Sequence, residues 1–499
     1  MLRSLLFSLV LLSAVSARAQ QTIFVSPAGT VLGSGTITSP VDMTTALSRV
    51  TPGDTVYVRG GTYSYNRPLQ IRVSGEEGAR IQMWAYADEE PVFDFTGANK
   101  GFDIRGGYLH LKGLTAENSF DNGIYMTGVE ANHNILELLV ARYNGDSGVQ
   151  VDKGAAFNLL LNIDSYENYD PSNNGENADG FAVKFGVGEG NVLRGCRAWG
   201  NSDDGYDFWS LDDPDQQGVL IEGNWAFRNG FNTFGDTSFR GDSNGFKLGK
   251  GNGAHTLIRN VAWDHRAHGF DVNGNASGVT VYNNTAYLNR GVNFNFDDDP
   301  GIDEQAPYVL RNNASVASSV RMDATVVDEA YNTWETSVPS AQTNDFVSVD
   351  DTGADGPRQP DGSLPVLDFL RLADGSDLID AGTDVGLSFA GGAPDLGAYE
   401  TGTSVSAEPG IDRRVSLELA GPNPVRDDTR LAVTLDASRV ARVAVYDLRG
   451  RQLAVLANGP LPGGRSLLFF DAAQLAPGTY LVGLEAGSSR TTLSITVAR

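Results

Sequence analysis

Apolar and polar positions alternate with a period of two in seven short segments of the chain. Each segment starts at a glycine, and the residues one and three positions later are apolar or aromatic; these glycines are Gly123, Gly148, Gly180, Gly205, Gly245, Gly269 and Gly291. Such alternation is typical of strands with one buried face. Successive glycines are 25, 32, 25, 40, 24 and 22 residues apart. The shorter spacings are nearly equal, and the two longest contain insertions. Such a repeat predicts the coils of a parallel β-helix.

A second repeating column supports the same register. A small residue, two variable residues and then an amide or imidazole recur from coil to coil. Stacked asparagine side chains at coil corners can hydrogen-bond along the stack and satisfy backbone groups of the turns. We therefore expect a structural ladder of Asn144, Asn168, Asn201, Asn229 and Asn289, with His265 as a structural substitute in the same column.

Two insertions leave the coils just before a strand, at residues 169–177 and 230–243. Loops on one face of a solenoid are where binding sites are usually built. Before the repeat, we expect a strand over residues 22–27, a capping helix over 41–50 and a strand over 55–59. Residues 300–400 lose the repeat, and we expect them to form the last coils and the C-terminal cap.

The chain ends predict further segments around a β-helix domain of residues 20–400. Residues 1–19 have the charged start, apolar stretch and small-x-small end of a secretory signal peptide. Residues 401–412 have linker composition, and residues 413–499 carry the strand pattern of a small β-sandwich. The predicted fold class is thus all-β, a parallel β-helix followed by a small C-terminal β-sandwich.

Composition narrows the possible partners. The formal net charge is −25, so we expect no nucleic-acid binding, and an acidic polysaccharide would need a bridging cation. After residue 19, no segment approaches the roughly 20 apolar residues of a membrane helix. The single cysteine, Cys196, excludes an intramolecular disulfide and is expected to be a small buried side chain. We expect a monomer.

Charged residues interrupt one outward column of the repeat. The position two residues after the strand glycine is occupied by Tyr125, Gln150 and Ala182, and then by Asp207, Lys247, Asp271 and Asn293. Equivalent positions on successive coils lie about 4.8 Å apart, so Asp207 and Lys247 are predicted to be outward-facing neighbours. The turns before two successive strands add Asp179, Asp203 and Asp204.

Four carboxylates this close cannot all remain ionised unless a cation lies among them. Oxygen ligands from adjacent turns suit Ca²⁺. A nearby dication and partial burial would lower the pKa of Lys247, and a neutral amine can act as a general base. The aspartates could instead be ordinary turn residues, and Lys247 only a partner of Asp207. A β-helix glycoside hydrolase and a non-catalytic polysaccharide-binding surface protein remain alternatives.

At these residues the chain resembles a known family. The matching segments are Asn177-Ala-Asp179-Gly-Phe-Ala-Val-Lys184, Gly195-Cys196-Arg-Ala-Trp199, Asn201-Ser-Asp203-Asp204-Gly-Tyr-Asp207 and Asn244-Gly-Phe-Lys247-Leu-Gly249. They resemble the pectate lyases of polysaccharide lyase family 9, over roughly residues 22–400. The resemblance implies a right-handed β-helix, β-elimination of pectate or polygalacturonate, Lys247 as the base, and calcium ligands at Asp179, Asp203, Asp204 and Asp207.

The C-terminal residues resemble a second family. Residues 421–424, 445–450 and 477–481 are similar to the sorting domain recognised by the type IX secretion system. This resemblance implies secretion machinery as a partner, a diderm bacterium as the source, and a protein that is secreted or held at the cell surface.

Overall fold

The structure, a computed structural model, describes residues 20–211, 213, 215–297, 306–402 and, further on, 415–419, 425, 428–435, 439–446, 451–461, 464–472, 475–476, 478–486 and 489–497. The predicted signal peptide, residues 1–19, and most of the 401–412 linker lie outside the described residues. The chain divides into two compact units, Met1–Val405 and Ser406–Arg499.

Three long parallel sheets build the first unit. The first sheet contains Thr22–Val25, Thr55–Val58, Ile81–Ala85, Leu109–Lys112, Ile135–Glu137, Leu159–Leu161, Val192–Arg194, Leu220–Glu222, Thr256–Ile258, Thr280–Tyr282, Tyr308–Arg311 and Val327–Ala330. The second contains Leu69–Ile71, Phe102–Ile104, Ile124–Thr127, Val149–Asp152, Phe181–Val183, Tyr206–Asp207, Phe246–Lys247, Phe270–Asp271, Phe294–Phe296 and Val320–Met322. The third contains Gly61–Ser64, Pro91–Asp94, Thr115–Glu117, Val140–Arg142, Asp164–Tyr166, Arg197–Trp199, Trp225–Phe227, Val261–Trp263, Thr285–Tyr287 and Ala314–Val316.

The predicted column of strand glycines and the apolar positions that follow it both stack from coil to coil. Aromatic rings of the second sheet stack on one another, as in the pair Tyr206 and Phe246, whose ring centres are 4.5 Å apart. Each strand glycine faces its neighbouring coil at close range. A Cβ atom on Gly180 would lie 2.6 Å from the carbonyl oxygen of Gly205, so a side chain there would push the coils apart.

The predicted asparagine ladder is confirmed. Each amide donates to the next, with 2.9 Å from Asn144 Nδ2 to Asn168 Oδ1, 2.8 Å from Asn168 to Asn201 and 2.9 Å from Asn201 to Asn229. His265 continues the column by accepting from the Asn229 backbone N–H at 3.3 Å, and Asn289 Oδ1 accepts from the His265 N–H at 3.1 Å. Two further ladders occupy the other corners, formed by Asn134, Asn158 and Asn191 and by Asn224, Asn260, Asn284, Asn313 and Asn332.

The N-terminal predictions also hold. The capping helix spans Met43–Arg49, and the Asp42 side chain caps it by accepting from the Thr45 backbone N–H at 2.8 Å. Its apolar residues Met43, Ala46 and Leu47 pack into the main core. Within the described parts of the chain, no helix has the length and apolar character needed to span a membrane.

Residues 300–400 only partly follow their prediction. Strands up to Val327–Ala330 continue the coils, but the later residues, which include the short 3₁₀ helix Thr343–Asp345, do not simply cap the end. They run along the outer face of the third sheet, where Phe369 packs on Trp263 with ring centres 4.9 Å apart. The Arg358 guanidinium reaches Asp164 at 2.7 Å. The reason is that this face carries bulky apolar residues that need covering.

The second unit contains two antiparallel sheets. One consists of Val415–Leu419, Asp428–Leu435 and Gly464–Asp471, and the other of Arg439–Tyr446, Gln452–Leu461, Gly478–Ala486 and Ser489–Val497. Side chains from both, such as Val433 and Val443, share one core. The predicted fold class is confirmed. Parts of the sorting-domain resemblance, at residues 421–424, 447–450 and 477, lie outside the described residues.

Candidate active site

The five predicted site residues lie together beside the second sheet. Asp207 and Lys247 end successive strands and are paired in register, as expected. The two strand positions next to them, Tyr206 and Phe246, point into the core. Asp207 and Lys247 therefore lie on the outward side of their strands, but both are buried, with only 2% and 7% of their surface exposed. Asp242 of the longer insertion contacts Lys247, and Lys184 contacts Asp207.

Three of the predicted aspartates converge on one point. Asp179, Asp204 and Asp207 are all buried, and each offers a carboxylate oxygen that lies within 4.8 Å of the others. Asp203 belongs to a neighbouring group of the same size, with Asp204 and Asp242. The predicted cluster therefore forms two overlapping groups of carboxylates that share Asp204.

Backbone N–H groups hold the carboxylates of Asp179 and Asp204 in place. Asp179 Oδ1 accepts from the Asp204 N–H at 3.2 Å, and Asp204 Oδ1 accepts from the Asn244 N–H at 2.6 Å. Asp204 Oδ2 is buried without a hydrogen bond, although Lys247 Nζ lies 3.2 Å away in an ion pair. Among the described residues, this oxygen therefore has an ionic partner in Lys247 but accepts no hydrogen bond.

Asp203 joins the two insertions. One of its oxygens accepts from the Asn177 N–H at 2.9 Å, and the other accepts from the Asp242 N–H. The insertions also contact each other, since the Arg240 N–H donates to the Asn174 carbonyl at 2.9 Å and Tyr169 stacks on Phe234 with ring centres 4.5 Å apart.

Two charged residues of the site were given no role in the sequence analysis. Lys184 follows the strand Phe181–Val183, and its Nζ lies 3.1 Å from Asp179 Oδ2 and 2.5 Å from Asp207 Oδ2. Asp242 ends the longer insertion, and its carboxylate lies 2.7 Å from Lys247 Nζ. Lys184 had a sequence signal, because it lies four residues after Gly180 and therefore on the outward side of the strand.

Burial and charge act against each other in this cluster. Burial raises the pKa of Asp203 to about 7 and raises the pKa values of Asp179 and Asp204 as well. Burial alone would lower the pKa of Lys247, but the surrounding carboxylates outweigh it and raise that pKa. The protein groups alone therefore do not produce the lowering of the Lys247 pKa that was expected beside a dication.

The donor set fits a hard dication. The four buried carboxylates, Asp179, Asp203, Asp204 and Asp207, exceed the two ammonium groups that pair with them among the described residues by two charges. Carboxylate oxygens are the ligands that Ca²⁺ prefers. The oxygen of Asp204 that lacks a hydrogen bond and the convergence of three carboxylates both favour a cation at this point.

The outward column continues past Lys247 with one correction. Asp271 pairs in register with Lys247, as expected. The next position is Asn295, not Asn293, because Asp271 pairs with Asn295. Asn293 instead lies at the corner, where its Oδ1 accepts from Asn289 Nδ2 at 2.9 Å. The spacing of 22 residues before Gly291 was two short of a full coil.

Comparison with known proteins identifies the family of this chain. The family described as "Pel9A-like, right handed beta helix region" matches residues 23–313. The chain belongs to this family. It is 40% identical to pectate lyase L of Dickeya chrysanthemi, over 76% of this chain and 90% of that protein. It is 36% identical to pectate lyase L of Paenibacillus polymyxa, over 73% and 84%.

A solved structure agrees with these relatives. The crystal structure of pectate lyase Pel9A matches with a TM-score of 0.69 and 37% identity, over 76% of this chain and 96% of that one. The resemblance to polysaccharide lyase family 9 is therefore confirmed, and the protein is an enzyme, a polysaccharide lyase of the pectate lyase type.

Proposed function

We propose that this protein is a secreted, calcium-dependent pectate lyase that cleaves polygalacturonate-type polysaccharide by β-elimination. Lys247 is the general base, and Asp179, Asp203, Asp204 and Asp207 hold the cation. The observation that carries this proposal is the register pairing of Asp207 with Lys247 beside converging buried carboxylates. Relatives that are named pectate lyases support the substrate class.

The residues divide the elimination between them. Lys247 Nζ accepts the proton from C5 of a uronate, and the C5 electron pair forms the C4–C5 double bond. The bond from C4 to the glycosidic oxygen breaks, and its electron pair stays on that oxygen, which takes a proton from water to become the hydroxyl group of the leaving sugar. A bound Ca²⁺ would supply charge that binds the uronate carboxylate and acidifies its C5 proton. Asp203 keeps the two insertions closed over this region through its bonds to their backbone.

An elimination assay tests the reaction class. Polygalacturonate, rhamnogalacturonan and alginate are each incubated with the enzyme, and the ultraviolet absorbance of the 4,5-unsaturated product is followed with calcium or with a chelator. We expect absorbance with polygalacturonate that disappears in chelator. New reducing ends without absorbance would indicate a hydrolase, and binding without turnover would indicate a surface adhesin; either result would contradict the proposal.

Two substitutions test the assignment of Lys247. Lys247→Arg keeps a positive charge but provides a group that stays protonated, and Lys247→Ala removes the amine. Both should lower kcat by about a thousandfold, which is within the range for loss of a general base, while calorimetry still detects calcium binding. Lys112→Arg, on the first sheet, is the control and should keep full activity. If the Lys247→Ala enzyme were active, Lys247 could not be the general base.

We further propose that residues 1–19 are removed as a signal peptide and that residues 413–499 direct export of a diderm bacterial enzyme to the medium or cell surface. The strands of the second unit and the residues similar to sorting domains support this. In the native host, deletion of residues 413–499 should leave the enzyme inside the cell envelope, as measured by immunoblotting of cell fractions.

A further inference from the structure

Lys184 is a buried cation inside the group of carboxylates that we assign to calcium. Its side chain is 9% exposed, and the carboxylates that it contacts, Asp179 and Asp207, are 0% and 3% exposed. Its Nζ lies 3.1 Å from Asp179 Oδ2 and 2.5 Å from Asp207 Oδ2. Removing a lysine from water is costly unless its charge is paired, so these contacts are needed wherever Lys184 remains charged.

The strand explains how Lys184 reaches both carboxylates. Phe181 and Val183 point into the core, so Ala182 and Lys184 lie on the outward side. Ala182 pairs in register with Asp207 of the next coil. Its methyl group is too short to fill the space beside Asp207, and the long Lys184 side chain can extend back across it to reach Asp207 and Asp179.

The two buried lysines divide the carboxylates between them. Lys184 pairs with Asp179 and Asp207, whereas Lys247 pairs with Asp204 and Asp242. Lys247 must exchange protons during the proposed reaction, but nothing in that reaction requires Lys184 to change its charge. Lys184 is therefore suited to a constant electrostatic role.

We propose that Lys184 is a built-in counter-charge of the cation site, which orders Asp179 and Asp207 before calcium arrives and competes with calcium for their oxygens. The inference rests on the calcium site of the proposed function. It makes Lys184 a positioning residue that acts through its two aspartates. With Lys184 present, the buried carboxylates exceed the ammonium groups by two charges, which one dication balances; without it, they would exceed them by three.

Two opposite effects follow from removal of this charge. In the metal-free enzyme, Asp179 and Asp207 would repel each other without a partner, so the folded state would be destabilised. In the calcium-bound enzyme, the cation would no longer compete with the ammonium group or be repelled by it. Because a unit charge a few ångströms away from a dication has a large effect in a buried site, we expect calcium to bind about tenfold more tightly.

The test compares the wild-type enzyme with Lys184→Met, a neutral side chain of similar length. Calorimetry gives the Kd for calcium, and thermal melts in chelator and in saturating calcium give the stability of both states. We expect Lys184→Met to lower Tm in chelator, to recover most of that loss in calcium and to have about a tenfold lower Kd. Lys184→Arg keeps the charge and should respond to calcium as the wild type does.

A control and a second neutral variant complete the design. Lys112→Met removes a lysine that pairs with buried Glu137 on the first sheet, so its Tm should change equally with and without calcium. Lys184→Gln, which can still donate a hydrogen bond, replaces Lys184→Met if that variant does not fold in either condition; it should show the same lower Kd.

Equal losses of Tm with and without calcium, or an unchanged or higher Kd, would show that Lys184 only packs in the site and would overturn the inference. If the wild-type enzyme itself bound no calcium, calorimetry would show that directly. That result would overturn the calcium dependence of the proposed function, and the inference with it, before any variant is compared.

Discussion

Asp242 contacts the Lys247 ammonium group at 2.7 Å, and its own side chain is 57% exposed. Its negative charge is one of those that raise the pKa of Lys247. A base with a raised pKa becomes neutral only at higher pH, so the rate should rise with pH. Asp242→Asn should therefore shift this rise in kcat to lower pH, as measured in saturating calcium.

Asp355→Asn is the matched control. The Asp355 carboxylate is 54% exposed, like that of Asp242, but it faces Arg228, which follows a strand of the third sheet. Its pH profile should equal that of the wild type. An unchanged profile for Asp242→Asn would mean that Asp242 has no electrostatic effect on the base.

The buried carboxylates also predict how stability depends on pH. Burial raises the pKa of Asp203 from 3.8 to about 7, so the folded chain binds this proton more tightly than the unfolded chain. Its contribution to stability is present below pH 3.8 and is lost as the pH rises through 7. In chelator, Tm should fall as the pH rises from about 4 to about 7; the fall should be smaller in Asp203→Asn and in calcium. A wild-type Tm that stays constant in chelator would contradict this.

Residues on the repeat were predictable, and residues on insertions were not. Asp207 and Lys247 follow strand glycines by the same number of positions, so the register alone made them neighbours. Asp242 lies near the end of an irregular loop that has no register, where its backbone N–H donates to Asp203. Lys184 lay on the predicted face, but the sequence did not show that its side chain would reach the next coil.

Asparagine side chains at the corners join each coil to its neighbours. The buried Asn201 donates from Nδ2 to Asn229 Oδ1 at 2.9 Å and to the Ser165 carbonyl at 3.1 Å, and it accepts from Asn168. Asn201→Ala would leave these buried groups unpaired. Each unsatisfied buried group costs about 1–3 kcal/mol, so the free energy of unfolding should fall by about 3 kcal/mol in urea denaturation.

The exposed Asn66 provides the comparison. Asn66→Ala should change the free energy of unfolding by less than about 0.5 kcal/mol, as is usual at surface positions. An Asn201→Ala protein as stable as Asn66→Ala would show that the ladder does not stabilise the coils.

Among the elements, one ladder was predicted and two were missed. The predicted ladder follows a small residue at constant spacing, which made it visible. The others lie directly before strands, as Asn158 lies before Leu159–Leu161. The covering of the third sheet was missed because residues 331–402 have no repeat. Its signal was the bulky outward residues of that sheet, such as Trp225 and Trp263.

At the scale of the whole molecule, a period that recurs through the chain predicts a β-helix because each coil buries its inner face against the neighbouring coils. This explains why the fold class was predictable although most of its strands have only three or four residues. Stacking also places the carboxylates of neighbouring coils close together, as it does for Asp179 and Asp204. The concentration of buried carboxylates at one point therefore follows from the stacking of the coils.

The two units have separate cores. Apolar residues of the coils form one set of clusters, and residues such as Leu431 and Val482 form another within Ser406–Arg499. A chain that ends at Val405 retains every strand of the three parallel sheets and all residues of the candidate site. We expect it to fold with the kcat of the full chain and with an unchanged calcium-dependent Tm, as measured by the elimination assay and thermal melts. Loss of calcium-dependent stabilisation in this shorter chain would show that the second unit supports the site.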